Sequence, residues 1–364
     1  MNFKHAALLL GIMLLAAMAT AQKPNITNAR VQERSAGAGM EATIADTAAK
    51  AAGPAWIGYR IPAKAKERTM CCWDYRGQES SAGKCCLGCR MDSEHGDNFT
   101  GTVSNCAPPE PVPYAFVFLK YETSKLVKVR IFSQDCPLDF AGLPLYWLDD
   151  VKPEQSVAYL LTFAKSDNSE EARHGDNVSK QAIMAIAFHD VPAADSALRT
   201  LIQPGQPLRL REDVAFWVGM ERGKPGLELL RQTVKSDSDD RFREKATFAI
   251  SQSTEPEALQ DLIGMAHNDS SPRVRGQALF WLAQKAGRKE AGEISAAIEN
   301  DPDTEVKKKA VFALSQIHDG DGVPLLINVA KTNRNPAVRK QAIFWLGQSN
   351  DPRALNFIEG VLTK

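Results

Sequence analysis

Seven cysteines stand between positions 71 and 136, and the rest of the 364-residue chain has none. They are Cys71, Cys72, Cys85, Cys86, Cys89, Cys106 and Cys136. Sulfur grouped in this way suits three chemistries. Disulfides staple a segment that lacks apolar side chains, and residues 74–84 and 90–105 are polar and glycine-rich. Zinc is held by thiolates across a two-residue gap, which Cys86 and Cys89 provide, with Cys71, Cys72 and His95 near in sequence. A thiol–disulfide oxidoreductase places a C-x-x-C at a helix N-terminus, whereas Cys86 and Cys89 sit among glycines and other cysteines. In an exported chain the first chemistry is preferred. All seven cysteines are then disulfide candidates, with no metal and no cofactor assigned. The adjacent Cys71 and Cys72 bond to different partners, and the odd total leaves one thiol free or paired between chains.

His174, Asp176, His189 and Asp190 are the nearest approach to a hydrolytic or metal-binding set. The first two fall in the polar loop 164–177, and the other two end a helix. No HExxH, GxSxG or glycine-rich phosphate loop accompanies them, so no catalytic residue is assigned and they are read as structural or solvated.

The elements around these groups follow from a 32-residue period. Ala182, Val214, Ala246, Ala278, Ala310 and Ala342 stand 32 apart, as do Met184, Phe216, Phe248, Phe280, Phe312 and Phe344. Ile186, Val218, Ile250, Leu282, Leu314 and Leu346 form a third row, and Leu198, Leu230, Leu262, Ile294, Leu326 and Ile358 a fourth. Within one unit, Val274, Ala278 and Leu282 share a helix face, with Phe280 and Trp281 beside it. After a loop near Gly287, Ala291, Ile294 and Ile298 share the face of a second helix. The linker Asn300-Asp301-Pro302-Asp303 supplies caps for the next unit. Such units bury their apolar faces only by stacking, which makes a solenoid with a binding surface as its default role.

The segments SPRVRGQALFWLAQ from Ser271, DTEVKKKAVFALSQ from Asp303 and NPAVRKQAIFWLGQSNDPRAL from Asn335 resemble short HEAT-like repeats of the kind also found in phycobilisome-lyase-type proteins. The resemblance covers roughly Ser179 onward. It implies a mainly α fold, a right-handed α-α superhelix of six repeats over residues 178–364. No bilin-attachment chemistry carries over. A cysteine-rich domain followed by such an array is similar to exported bacterial HEAT-repeat proteins.

Residues 1–21 read as a signal peptide: Lys4 is the positive start, Ala6–Met18 the apolar run, and Ala19-Thr20-Ala21 the cleavage site. The expected location is periplasmic or extracellular, with no membrane contact after cleavage. Residues 22–53 read as a weakly ordered tether. Residues 54–148 read as a small disulfide-rich domain with a β-hairpin or small sheet. Its strands are 56–61, 115–121 and 126–132, with a hairpin loop at 122–125. Residues 149–177 are a helical cap and linker, with a helix over 153–165.

Three polar or aromatic rows repeat with the period. Arg211, Arg243, Arg275, Lys307 and Arg339 form a ladder paired with neighbouring acids such as Asp240 and Asp303, or else a stripe for an acidic partner. Trp217, Trp281 and Trp345 alternate with Ala185, Ala249 and Ala313, as interlocking neighbours require, with an aromatic platform as the other reading. Gln252, Gln284, Gln316 and Gln348 are placed to satisfy carbonyls of inter-repeat loops. Repeat six is not altered into a polar cap, so Trp345 and Phe357 are expected to face outward and mark self-association, a homodimer in the simplest case.

Lys+Arg and Asp+Glu are both 44, so the chain has no basic excess for nucleic acid. The expected function is an exported, non-enzymatic scaffold binding a protein or peptide in a groove lined by the second helices. The alternative is a thiol- or metal-dependent enzyme or redox factor working through the cysteine-rich domain.

Overall fold

The computed structural model describes residues 23–37, 39–65, 89–91, 111–134, 137–165, 177–317 and 320–363. Of the seven cysteines only Cys89 falls among them, and His174, Asp176 and residues 1–21 lie outside them.

A mixed five-stranded sheet organises the N-terminal half, in the order β2 (Arg30–Ser35), β8 (Pro144–Asp149), β3 (Ala55–Pro62), β5 (Tyr114–Glu122) and β6 (Lys125–Phe132). β8 lies between β2 and β3 and runs parallel to both, while β5 is antiparallel to β3 and β6. Helix α1 (Met40–Lys50) makes the crossover from β2 to β3. The tether expected over 22–53 is therefore wrong for this stretch. Met40, Ile44 and Ala48 of α1 are buried, and that burial outweighs the Ala-, Gly- and Thr-rich composition on which the tether rested. β2 is one of the two edge strands, and its Arg30, Glu33 and Arg34 discourage pairing with another chain. The β5–β6 hairpin turns through Thr123 and Ser124, whose φ of 48° and 62° match the primed turn that suits twisted strands.

Alternate side chains of the central strands feed two different cores. Trp56, Phe116, Phe118, Leu145 and Trp147 point to one face. There they meet Phe132, Phe140, Cys89 and Met91 under a small second sheet of β1 (Ile26–Thr27), β7 (Leu138–Asp139) and β4 (Cys89–Arg90). The rings meet edge-on or tilted, as Trp56 and Phe140 do at 6.0 Å and 85°. Gly58 makes room for them: a Cβ there would stand 2.7 Å from the Phe118 ring. Cys89 is buried and is not a free thiol.

Ile57, Tyr59, Ile61, Val117, Leu119, Tyr146 and Leu148 point to the other face, against α1 and α2 (Pro153–Ala164). This core continues without a break into the repeats. Six helical hairpins follow. They are α3 (Val178–Phe188) with α4 (Pro192–Leu201), α5 (Leu208–Glu221) with α6 (Gly223–Ser236), and α7 (Asp240–Gln252) with α8 (Glu257–Asn268). Next come α9 (Pro272–Ala286) with α10 (Ala291–Asn300), α11 (Thr304–Ser315) with α12 (Gly322–Thr332), and α13 (Pro336–Gly347) with α14 (Pro352–Leu362). The Ala182 and Ile186 rows are buried in every unit, as is the Leu198 row up to Leu326. Asn177, Asp239, Asp303, Asn335 and Asp351 each cap a helix through the side chain.

Candidate interaction surfaces of the repeat array

The basic row forms an internal ladder. Arg243 makes two bonds of 2.9 Å to the Asp269 carboxylate, and its third nitrogen donates to the Asp237 carbonyl at 2.9 Å. Arg275 repeats this on Asp301 at 2.7 and 3.0 Å, and on the Asp269 carbonyl at 2.9 Å. Arg211 pairs with Asp237 and donates to the Ile202 carbonyl. Hydrogen bonds to the carboxylates push the Arg243 and Arg275 guanidiniums up. Burial alone raises the Asp269 carboxyl, yet the bonds from Arg243 and Ser271 outweigh it and hold the group below its ordinary range. These three arginines are buried and joined to the chain itself, so they do not form a stripe for an acidic partner. Their partners are a second periodic row, Asp237, Asp269 and Asp301, and not Asp240 or Asp303. Asp240 accepts from Ser271 at 2.8 Å, and Asp303 caps α11. Asp to Asn changes the ladder at Asn333. There Arg339 donates to the Asn333 and Arg334 carbonyls at 2.8 and 3.1 Å, and Lys307 to the Glu299 carbonyl at 2.7 Å.

The large apolar row is not core. Phe216, Phe248, Phe280 and Phe312 are half-buried and Phe344 is exposed. With the tryptophans they build a continuous ribbon of nine rings along the first helices, each touching the next. Phe188 meets Trp217 at 6.0 Å, and Trp217 meets Phe216 at 4.9 Å. Phe216 stacks on Phe248 at 5.7 Å, which lies 4.6 Å from Trp281, itself 4.8 Å from Phe280. Phe280 stacks on Phe312 at 5.7 Å and 7°, Phe312 lies 4.8 Å from Trp345, and Trp345 5.0 Å from Phe344. The tryptophan–alanine alternation explains the pattern. Where a unit carries Trp, the indole covers the phenylalanine of the unit before. Where it carries Ala249 or Ala313, the two phenylalanines stack directly.

Neighbouring first helices approach closely: a Cβ at Gly219 would stand 2.1 Å from the Ala249 carbonyl oxygen. On the opposite side a cavity of about 660 Å³ opens between α6 and α8, lined by Arg231, Lys235, Asp261 and Asn268 among others. Exposed pairs bridge successive second helices there, with Arg231 bidentate on Asp261 at 2.8 and 2.9 Å and His267 on Glu293 at 2.8 Å. The stack is packed more closely along its first helices than along its second helices. The aromatic ribbon follows the more closely packed face, and the second helices form the more open, charged face opposite. The glutamine row does not reach across loops at two of its positions. Gln252 and Gln316 donate to the adjacent Ser251 and Ser315, while Lys285 crosses to the Ser251 and Ser253 carbonyls at 2.9 and 2.7 Å.

At the last repeat, Trp345 and Phe357 are half-buried rather than outward-facing. Trp345 lies over Phe312, and the Lys331 ammonium stands 5.6 Å from the Phe357 ring. The apolar side chains that do face outward are Ile343, Phe344, Leu355, Val361 and Leu362.

His189 belongs to the joint between sheet and array. It is fully buried, with Nδ1 at 2.7 Å from the Ala185 carbonyl and Nε2 at 2.9 Å from the Ser156 hydroxyl, which lies 2.9 Å from the Tyr59 hydroxyl. Burial holds the imidazole down to about 4, against a weaker opposing effect of the Ala185 carbonyl and with the nearby Arg222 charge assisting. The Arg222 guanidinium ties the same joint, donating to the Ala187 and His189 carbonyls at 3.0 and 2.6 Å and to Asp195 at 2.8 Å. The Asp190 amide donates to the Pro62 carbonyl at 2.9 Å, so its backbone also belongs to the joint. Among the described residues no group of three metal-ligating side chains converges.

No curated protein sequence matches the chain. The family model of HEAT repeats matches residues 293–364. Among solved structures, human deoxyhypusine hydroxylase is 15% identical with a TM-score of 0.30, over 57% of this chain and 89% of its own. AlkD2 from Streptococcus mutans is 17% identical with a TM-score of 0.37, over 53% and 96%. Kap121p is 12% identical with a TM-score of 0.37, over 58% of this chain and 27% of its own. These likenesses concern the fold alone. Residues 293–364 thus match HEAT repeats, and the same helical hairpin recurs through all six units of the array.

Proposed function

We propose that the protein is an exported interaction scaffold that binds a protein or peptide along the first-helix face of its array. The observation that carries this reading is the ribbon of nine partly exposed rings, contiguous across six repeats. Aromatic side chains dominate the energetics of protein interfaces, because they bury a large area at little cost in conformational entropy. A contiguous apolar surface of this length is unusual on a protein without a partner. The rings are held by one another and by the packed helices, so little ordering is required on binding. Export rests on residues 1–21, and the staple of the cysteine segment on disulfides among its seven cysteines.

Photo-crosslinking in the producing cells tests the reading. A benzoylphenylalanine at position 312 should join the array to a discrete protein. That product should disappear with Phe248→Lys and persist with the paired Arg231→Ala and Asp261→Ala changes on the opposite side. Equal capture from position 263 on α8, or capture indifferent to Phe248→Lys, would overturn the ribbon as the binding face.

A further inference from the structure

The two residues one helical turn before Phe216 and its equivalents border the ribbon along the array, because positions three and four apart share a helix face. Their charge changes from one end to the other. In repeat two they are Glu212 and Asp213, in repeat three Glu244 and Lys245, and in repeat four Gly276 and Gln277. In repeat five they are Lys308 and Lys309, and in repeat six Lys340 and Gln341. The border thus runs from acidic to basic, although the whole chain is neutral. The acidic end is partly neutralised within the chain, with Lys180 at 3.2 Å from Asp213 and Arg273 at 3.5 Å from Glu244. At the basic end Lys308 meets Glu305 at 3.0 Å, whereas Lys309 and Lys340 are exposed and have no acid within ion-pair reach among the described residues. Gly276 holds Lys309 in place. A Cβ at that glycine would stand 2.3 Å from Lys309 Cδ, so its absence leaves the lysine stem room to cross α9. The stem is rooted one turn before Phe312 and crosses α9 one turn before Phe280.

We infer that the polypeptide segment bound on the ribbon is acidic where it crosses repeats five and six, with carboxylates on Lys309 and Lys340 and apolar side chains on Phe280 and Phe312. The inference rests on the ribbon as the binding face and names the chemistry of what that face binds. Neighbouring packed helices lie about 8–10 Å apart, and an extended chain rises about 3.3 Å per residue. A strand laid across the first helices therefore brings about every third residue onto a ring. The residues between are placed to meet the lysines. The reversal of charge along the border sets the direction of the strand: its acidic stretch faces repeats five and six, and its neutral or basic stretch faces repeats two and three. Complementarity of this kind fixes register and excludes wrong partners more than it adds raw affinity. It also argues against a nucleic acid, whose phosphates carry one sign throughout and would meet Glu212 and Glu244 when following the rings.

Fluorescence anisotropy on the full chain tests the inference, with labelled peptides of equal length built from Phe-Glu-Glu, Phe-Gln-Gln or Phe-Lys-Lys triplets. The Phe-Glu-Glu peptide should bind at least about tenfold more tightly than Phe-Gln-Gln, and Phe-Lys-Lys most weakly. Lys309→Glu with Lys340→Glu should abolish that preference and leave Phe-Gln-Gln binding unchanged. Lys235→Glu with Lys331→Glu on the second helices makes the same change in net charge and should preserve the preference. All four side chains are exposed, so the thermal unfolding curves should change little. Equal binding of the peptides, or a preference that survives Lys309→Glu with Lys340→Glu, overturns the inference; if Phe248→Lys still weakens binding, the ribbon stands without it. Binding indifferent to Phe248→Lys, or no binding of any peptide, removes the ribbon as the binding face and this inference with it. A labelled oligothymidylate that binds more tightly than the Phe-Glu-Glu peptide overturns the acidic polypeptide in favour of nucleic acid.

Discussion

Arg275 and Asp301 show why a periodic charge row is not automatically a surface. Both are nearly excluded from solvent and meet through two short bonds, while a third nitrogen satisfies the carbonyl of the preceding rung. Removing one partner strands the other charge in the core. Arg275→Ala should therefore cost about 3–5 kcal/mol in urea unfolding. Asp301→Asn should cost less, since Asn333 already occupies the equivalent place. The aromatic row gives the opposite lesson. Leu282 is fully buried and its truncation to alanine should cost about 2–5 kcal/mol, whereas Phe280 is half-exposed and Phe280→Ala should cost less than Leu282→Ala. Equal losses would place Phe280 in the core and remove it from the ribbon. Sequence spacing groups both rows on the packed side of a helix. It does not say which row sits at the seam of that side, because a wide apolar stripe has edges that reach solvent.

The joint between sheet and array responds to acid. Its Tyr59, Ser156 and His189 form a buried hydroxyl–hydroxyl–imidazole chain with the ring neutral. The folded-state value of about 4 lies below the ordinary 6.5, so the unfolded chain takes up the proton first as pH falls. Stability from this group is complete above about pH 6.5 and is lost as pH falls toward 4, by about 3 kcal/mol in all. Urea unfolding at pH 7, 5.5 and 4 should show this loss in the wild type, and His189→Gln should remove that part of the slope. Carboxylates titrate in both proteins, so the difference between them reports the imidazole. A histidine ending a helix is visible in the sequence. Its burial against Ser156 and Tyr59 is not, because α2 and β3 bring those residues from 33 and 130 positions away.

Sheet and array share one continuous core, running from Met40 of α1 to Ala354 of α14. They should unfold together at the joint. Leu160 is fully buried at the contact of α2 with the first repeat, and Leu160→Ala should speed hydrogen exchange in both β3 and α3. Faster exchange confined to α2 would show that the two halves are energetically separate. The sheet also has an aromatic core of its own. Its central strands bury Trp56, Phe116, Phe118 and Trp147, and that burial stabilises the sheet.

The 32-residue period was sufficient for the helical hairpins, their number and their stacking, because each unit repeats the same local pattern and meets a copy of itself. The same reasoning recovered strands 56–61, 115–121 and 126–132, whose β-branched and aromatic runs are local signals. β2, β8 and α1 escaped it. Two of these are a charged edge strand and an alanine-rich helix, and their structure depends on strands far away in sequence. The more closely packed face, the internal fate of the arginines and the exposure of the rings were settled only in three dimensions. Each depends on the distance between neighbouring units. A period in the sequence fixes which residues are equivalent, but not which side of the stack is narrow.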